Sequence, residues 1–221
     1  MIELQNIYKK FHHKTENSFA LENINLKINT GELVLLKGQS GCGKSTLLHI
    51  LASLMKPDSG SVNVNGENIV SFPDLHISHY RKKTLGYMTQ SLYLFEELTL
   101  KENLLAPLVL ETFTTQEMQN AMQKALELSN IAHKAQQKVS TLSSGERARC
   151  LLARAIVNDP QIILFDEPTA NLDKENTLSF MQTIQTLQGL GKTLIIATHD
   201  AQLDALQNIT QELRLRDGKI E

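Results

Sequence analysis

The chain has 221 residues, 41% of them hydrophobic, enough for one good core with room for a small subdomain. Its 22 Lys and Arg against 24 Asp and Glu leave no basic excess to draw it onto nucleic acid. The only cysteines, Cys42 and Cys150, imply no disulfide framework, and the longest apolar runs (33–36, 162–165 and 194–197) are far too short to cross a bilayer. The amino terminus lacks the basic and apolar regions of a signal peptide, so a cytosolic globular chain is expected.

Taken in order, Ile2, Leu4 and Ile7, then Leu21, Ile24, Leu26 and Ile28, predict two strands with one apolar face, joined by a polar loop at 12–18. Gly31 marks the turn into a buried strand that ends at Lys37. Directly after it stands Gly38-Gln39-Ser40-Gly41-Cys42-Gly43-Lys44-Ser45, and Thr46 continues into a helix expected from Lys44 to about Met55. Strand, glycine-rich loop and helix in this order are what G-x-x-x-x-G-K-[ST] requires. The glycines let successive N–H groups converge on the phosphates of a nucleotide, and the helix start adds its positive dipole end. Lys44 is the cation for the β- and γ-phosphates, and the Ser45 hydroxyl sits where a Mg²⁺ ligand is wanted. A chance match arises in about one chain of this length in a hundred, and the strand–helix context lowers that further. The chain is read as binding a nucleoside triphosphate.

The next segment, Lys56-Pro57-Asp58-Ser59-Gly60, breaks the helix, and Val62 and Val64 alternate up to the hairpin signal Asn65-Gly66. His76 and His79 have a spacing that can bind metal, but no third ligand accompanies them and a solvated loop is expected. A strand follows near 85–89, a helical stretch at about 99–129, and a helix at about 145–157. A strand at 161–165, a helix at 174–188, a strand at 193–197, a short helix and a strand pair around Asp217-Gly218 complete the order. Apolar strands alternating with helices predict a mainly parallel α/β sheet. Asp166 and Glu167 follow the four apolar residues 162–165, at the strand edge where such sheets place ligands. Taken alone, an acidic pair there is as often a solvated loop or a helix cap. The phosphate loop shifts the balance, giving Asp166 a Mg²⁺ to hold and Glu167 an attacking water to orient or deprotonate.

Between these motifs, Leu142-Ser143-Ser144-Gly145-Glu146 stands ahead of a helix; by itself Ser143-x-x-Glu146 is a capping box. It resembles the L-S-G-G-Q signature of ATP-binding cassette (ABC) ATPases, with Ser144 in place of the first glycine and Glu146 in place of glutamine. Gln90 resembles the family's Q-loop residue, Ala170-Asn171-Leu172-Asp173 its D-loop, and His199 its switch histidine. Phe11 falls where the family stacks an aromatic on adenine, with Tyr8 as the competing position and the core as the alternative.

The resemblance covers the whole chain, and its implications are as follows. The fold would be α/β, a P-loop NTPase (RecA-like) core of ABC type with an antiparallel β subdomain and an inserted helical subdomain at about 91–140, all within one domain, 1–221. ATP and Mg²⁺ would be held by Phe11, Gly38 to Thr46, Gln90, Asp166 and Asp173, with Ser45, Gln90 and Asp166 toward the metal. Glu167, His199, Gln90 and Lys44 would carry the chemistry. Ser143 and Gly145 would act on the γ-phosphate bound by a second copy, making a head-to-tail homodimer. Integral-membrane permease subunits would be contacted by residues 91–107, from Ser91 to Pro107, through Leu92, Tyr93, Leu94 and Phe95, the alternative being that these side chains pack the helical subdomain, and no nucleic-acid partner is expected. The chain would thus lie peripherally on the cytoplasmic face of the inner membrane. Leu-Ser-x-Gly-Glu-Arg and the strings around 153–160 and 166–173 are most similar to the lipoprotein-release (LolD-like) ATPases, in a wider group with MacB-like exporters and FtsE-like subunits. In that group an FtsE-like role, transmitting force without moving a substrate, is the alternative to lipoprotein release or export.

Overall fold

The computed structural model describes residues 1–13, 16–91, 93–109, 112–170 and 172–221. A parallel sheet carries the molecule. Its strands are β3 (Leu33–Lys37), β6 (Leu85–Met88), β7 (Ile162–Asp166), β8 (Thr193–Thr198) and β9 (Gln211–Arg216), in the order β9-β3-β8-β7-β6, with β10 (Lys219–Ile220) antiparallel on the β9 edge. A second, antiparallel sheet has the order β2-β1-β4-β5, from β1 (Ile2–His13), β2 (Glu16–Ile28), β4 (Ser59–Val64) and β5 (Glu67–Asn68).

The apolar runs are continuous because both faces of the parallel sheet are covered. Leu33, Leu35, Ile163, Phe165, Leu194 and Ile196 point to one face. There they meet α3 (Leu100–Leu108), α4 (Thr115–Leu128), α5 (Ser144–Ile156) and α6 (Lys174–Gly189). Val34, Leu36, Ile162, Leu164, Ile195 and Ala197 point to the other, against α1 (Lys44–Leu51), α2 (Asp74–Lys83) and the antiparallel sheet. Phe165, fully buried, packs edge-on to Phe180 at 5.5 Å between centroids, and truncating it to alanine would cost about 3–5 kcal/mol.

Several expectations are corrected. The β1–β2 pairing runs on through Phe11↔Ser18 to His13↔Glu16, so the loop is shorter than 12–18; of that predicted loop, Lys14 and Thr15 lie outside the described residues. Helix α1 stops at Leu51 instead of near Met55. Ser53 adopts φ 50, and the N–H groups of Ser53 and Leu54 donate to the carbonyls of Ile50 and His49, a Schellman ending that closes the helix before Pro57 is reached. The helical stretch expected at 99–129 is two helices, each opened by its own capping box, Thr99 with Glu102 and Thr114 with Glu117. Within that stretch Leu110 and Glu111 lie outside the described residues. His76 and His79 stand exposed on α2, a helix the sequence reading did not predict, and no metal-binding cluster of His, Cys, Asp and Glu occurs among the described residues. None of the described helices is long and apolar enough to cross a membrane.

Candidate active site

The carboxyl ends of β3, β6, β7 and β8 meet along one edge of the sheet, where a parallel α/β fold presents its ligands. The loop leaving β3 turns into α1 at Gly43, whose φ is 110 and where a Cβ would lie 2.3 Å from the Ala20 carbonyl oxygen. Only glycine fits there, on both counts. The turn buries Lys44 to 5% exposure, and its Nζ donates to the carbonyl oxygens of Gly38 at 2.7 Å and Gln39 at 3.2 Å. The same ammonium lies 3.2 Å from Glu167 Oε1, and His199 Nδ1 lies 2.8 Å from Glu167 Oε2. Glu167 thus joins a buried lysine to a histidine whose side chain is 63% exposed.

Glu167 is held in a left-handed backbone conformation, φ 48, while its N–H donates to Ala197 O and its own carbonyl accepts from Ala170 N. A non-glycine residue in that region is strained, and such strain gathers where a side chain must point in one direction. One residue earlier, Asp166 accepts a hydrogen bond from Ser45 Oγ at 3.0 Å. Burial holds the Asp166 carboxyl above its ordinary value, with Glu167 adding like charge; the Ser45 hydrogen bond, His49 and Lys44 oppose the rise. A hydroxyl and a carboxylate side by side at a helix start are hard oxygen donors of the kind Mg²⁺ takes. The two residues fit that ion.

An open cleft of ≈ 1080 Å³ runs beside the loop. Gly38, Gln39, Ser40, Gly41 and Cys42 line it, with His199 and, from the hairpin, Phe19. Lys44, Ser45, Asp166 and Glu167 are not among its lining residues; they are engaged with one another instead. Thr46 follows on α1, half-buried. Gln90 is exposed, two residues beyond the end of β6. Phe11 does not line the cleft. The pairs Lys10↔Phe19 and Phe11↔Ser18 set Phe19 and Phe11 on opposite faces of the hairpin. Phe11 is 36% exposed and so is no core residue; Tyr8, the other position weighed, instead meets Phe19 edge-on at 5.9 Å between centroids.

The remaining site residues are elsewhere. Ser143 caps α5, its Oγ accepting from Glu146 N while Glu146 Oε2 accepts from Ser143 N. Those bonds, led by the backbone one, hold the Glu146 carboxyl below its ordinary value, and Lys134 lies 3.2 Å away. Ser144 begins the helix proper and is not in the left-handed region. Gly145 is buried against α6, away from the cleft. Asp173 caps α6, accepting from Asn176 N; Asn171, in the same loop, lies outside the described residues. The sequence reading missed Asn176 and the Thr169–Asp200 hydrogen bond of 2.7 Å that ties the loop after β7 to the loop after β8. Neither pair has a spacing that points to it.

The sequence profile of the ABC transporter family matches residues 21–170. An uncharacterized ABC transporter ATP-binding protein of Methanocaldococcus jannaschii is 36% identical over 220 residues, covering 100% of this chain and 97% of that protein. The uncharacterized ABC transporter ATP-binding protein YknY of Bacillus subtilis is 34% identical, covering 100% of this chain and 95% of its own. Among solved structures, the dimeric MJ0796 ABC transporter cassette superposes with a TM-score of 0.92 at 33% identity, covering 100% of this chain and 97% of that one. A dimeric post-hydrolysis state of the same cassette, bound to ADP and Pi, gives 0.92 at 32%, with the same coverage. The chain belongs to the ABC transporter ATP-binding family.

Proposed function

We propose that this ABC cassette is the ATP-hydrolysing subunit of a transporter and works as a head-to-tail pair, two ATP molecules lying between the phosphate loop of one copy and Ser143 and Gly145 of the other. The observation that carries the reading is the contact chain from buried Lys44 through Glu167 to the exposed His199, beside the Ser45–Asp166 pair. In-line attack of water on a γ-phosphate needs positioning and charge neutralisation more than covalent chemistry. Lys44 supplies the charge at the transferred group. Glu167 accepts the proton of the attacking water or orients it, and His199 Nδ1 fixes the carboxylate that does so. Ser45 and Asp166, with Gln90 from the β6 edge, would hold Mg²⁺, which would supply charge neutralisation for the phosphoryl transfer.

An aromatic of the β1–β2 hairpin stacks on the base, at Phe11 by family position. Closure and opening of the pair drive separate integral-membrane subunits. They dock where Tyr93 and Phe95 stand 74% and 55% exposed while Asn103, fully buried, holds Phe95 N and O. Leu94 is partly buried against the core, and Leu92 of the same stretch lies outside the described residues. An adjoining groove of ≈ 470 Å³, lined by Arg81, Lys82, Pro107 and Arg154, has Asn158 Oδ1 buried and without a partner among the described residues. It suits a helix bringing donors and acidic side chains. The helical segment within 91–140 carries that surface as a subdomain of a single 1–221 domain. The chain would then sit peripherally on a membrane, and the LolD-like features make lipoprotein release or export the reading of cargo, with FtsE-like force transmission as the alternative.

Glu167→Gln should keep ATP binding, lower turnover by about 10²–10⁴-fold, and trap a dimer on size exclusion with ATP and little Mg²⁺. A monomer that hydrolyses at the wild-type rate would overturn the assignment.

A further inference from the structure

The first turns of α5 and α6 touch through one side chain. Asp173 Oδ1 accepts from Asn176 N at 2.8 Å and from Asn176 Nδ2 at 2.9 Å. The other end of that amide, Oδ1, accepts from Arg149 Nη2 on α5 at 2.8 Å. Its orientation is chemically fixed, because only the NH₂ end can donate to a carboxylate and only the oxygen can accept from a guanidinium. Arg149 Nη1 in turn donates to Asn130 O, just past the end of α4. On the facing helix, a Cβ at Gly145 would stand 2.7 Å from Asn176 Cγ and 2.8 Å from both Nδ2 and Oδ1. Gly145 has ordinary helical backbone, so it must be glycine for close approach and not for its φ.

We propose that Asn176 is a positioning residue that couples the Asp173 cap to the Ser143–Gly145 turn, so that the starts of α5 and α6 move as one and the turn is held in place for the second copy. The inference rests on the reading that Ser143 and Gly145 act on the partner's nucleotide. A merely structural contact would register as lost stability in the isolated monomer. A coupling contact registers instead in closure and turnover, because the Ser143–Gly145 turn must be held in place as the partner seats on it.

In the full-length chain, Asn176→Ala should leave the apo melting temperature and the monomer's ATP affinity unchanged. Turnover should fall about tenfold, a coupling typical of residues in contact. In the Glu167→Gln background, the ATP-trapped dimer should weaken by a similar factor. Gly145→Ala should be more severely impaired, because its methyl meets the Asn176 amide, and adding Asn176→Ala should restore it to the level of Asn176→Ala alone. Wild-type turnover and dimerisation in Asn176→Ala would overturn the inference, as would a Gly145→Ala defect untouched by the second change. A drop in melting temperature that accounts for the whole activity loss would also overturn it. Ser143→Arg is run alongside: if it too dimerises and hydrolyses normally, it is the composite-site reading that has failed.

Discussion

At the phosphate loop, Lys44, Glu167 and His199 are linked by contacts of 3.2 and 2.8 Å, and Ser45 meets Asp166 at 3.0 Å. At the head of α5, Ser143 and Glu146 bond each other's backbone, Glu146 also pairs with Lys134, and Ser143 is left exposed. The first region assembles side chains from two strand ends, β7 and β8, and a helix start. The second is a local device, four residues of one helix, with Asn176 behind it. On the proposed composite-site reading, the acid–base and cation groups all come from one chain, whereas an exposed, capped helix start is only half of an anion site. On that reading the missing half would be a phosphate brought by another copy.

The largest effect expected from breaking that asymmetry is at Ser143. Ser143→Arg should leave nucleotide binding by the monomer intact and abolish hydrolysis, since the added side chain stands where the second copy must seat. Mixed with Lys44→Ala, it should regain up to about a quarter of the wild-type rate, because half of randomly formed pairs are mixed and each mixed pair holds one intact site. ATPase rate against mixing ratio is the measurement. Wild-type hydrolysis by Ser143→Arg alone would make the phosphate-loop region self-sufficient and remove the composite site.

Lys44→Ala tests the other half and should be next in size. Losing a buried charge-assisted donor costs about 1.5–3 kcal/mol, or about ten- to a hundredfold in ATP affinity by equilibrium binding. It also leaves Glu167, 10% exposed, without its ammonium, so the apo protein should melt lower as well. Unchanged affinity would contradict the role given to Lys44.

How much of each region was legible from the sequence follows the same division. Gly38 to Ser45, Asp166 and Glu167 were readable because a loop between a buried strand and a helix, and acids at a strand end, are local in the chain. Strands β3, β7 and β8 were readable for the same reason, as short apolar runs, and β9 only from the strand pair around Asp217-Gly218. Helix α2 was not, because among its ten residues only Ile77 and Tyr80 are buried, too few to mark an apolar face. The break between α3 and α4 was passed over because both flanks are apolar at helical spacing. The capping boxes at Thr99 and Thr114 were the available signal. The Asn176–Gly145 approach joins residues on separate helices, and which hairpin face an aromatic takes depends on register: neither can be read from spacing.

That register question gives a smaller prediction. Phe19 already carries Lys10 Nζ at 4.4 Å from its ring and Tyr8 at its edge, while Phe11 has no ring contact among the described residues. Phe11→Ala should therefore weaken ATP binding by about 1–3 kcal/mol, the range for base stacking on an aromatic, with the melting temperature nearly unchanged. Phe19→Ala should weaken it less and destabilise the hairpin more. Titrations of both variants with ATP against a base-free triphosphate decide it, and the reverse ranking would move the stack to Phe19, which lines the cleft.

The smallest effect is expected at Ser144, where the family's commonest signature has glycine. Were the backbone there left-handed, serine would be strained and glycine would improve both stability and activity. The structure has Ser144 opening α5 in ordinary helical geometry, directly after the Ser143 cap. Glycine would then only add unfolded-state freedom at a first helical position, costing at most about 1 kcal/mol. Ser144→Gly should accordingly melt slightly lower, by thermal denaturation of the apo chain, and hydrolyse ATP no faster than wild type. A higher melting temperature would mean that the turn carries strain after all, and the head of α5 would then resemble Glu167, a residue held in place against its own backbone preference.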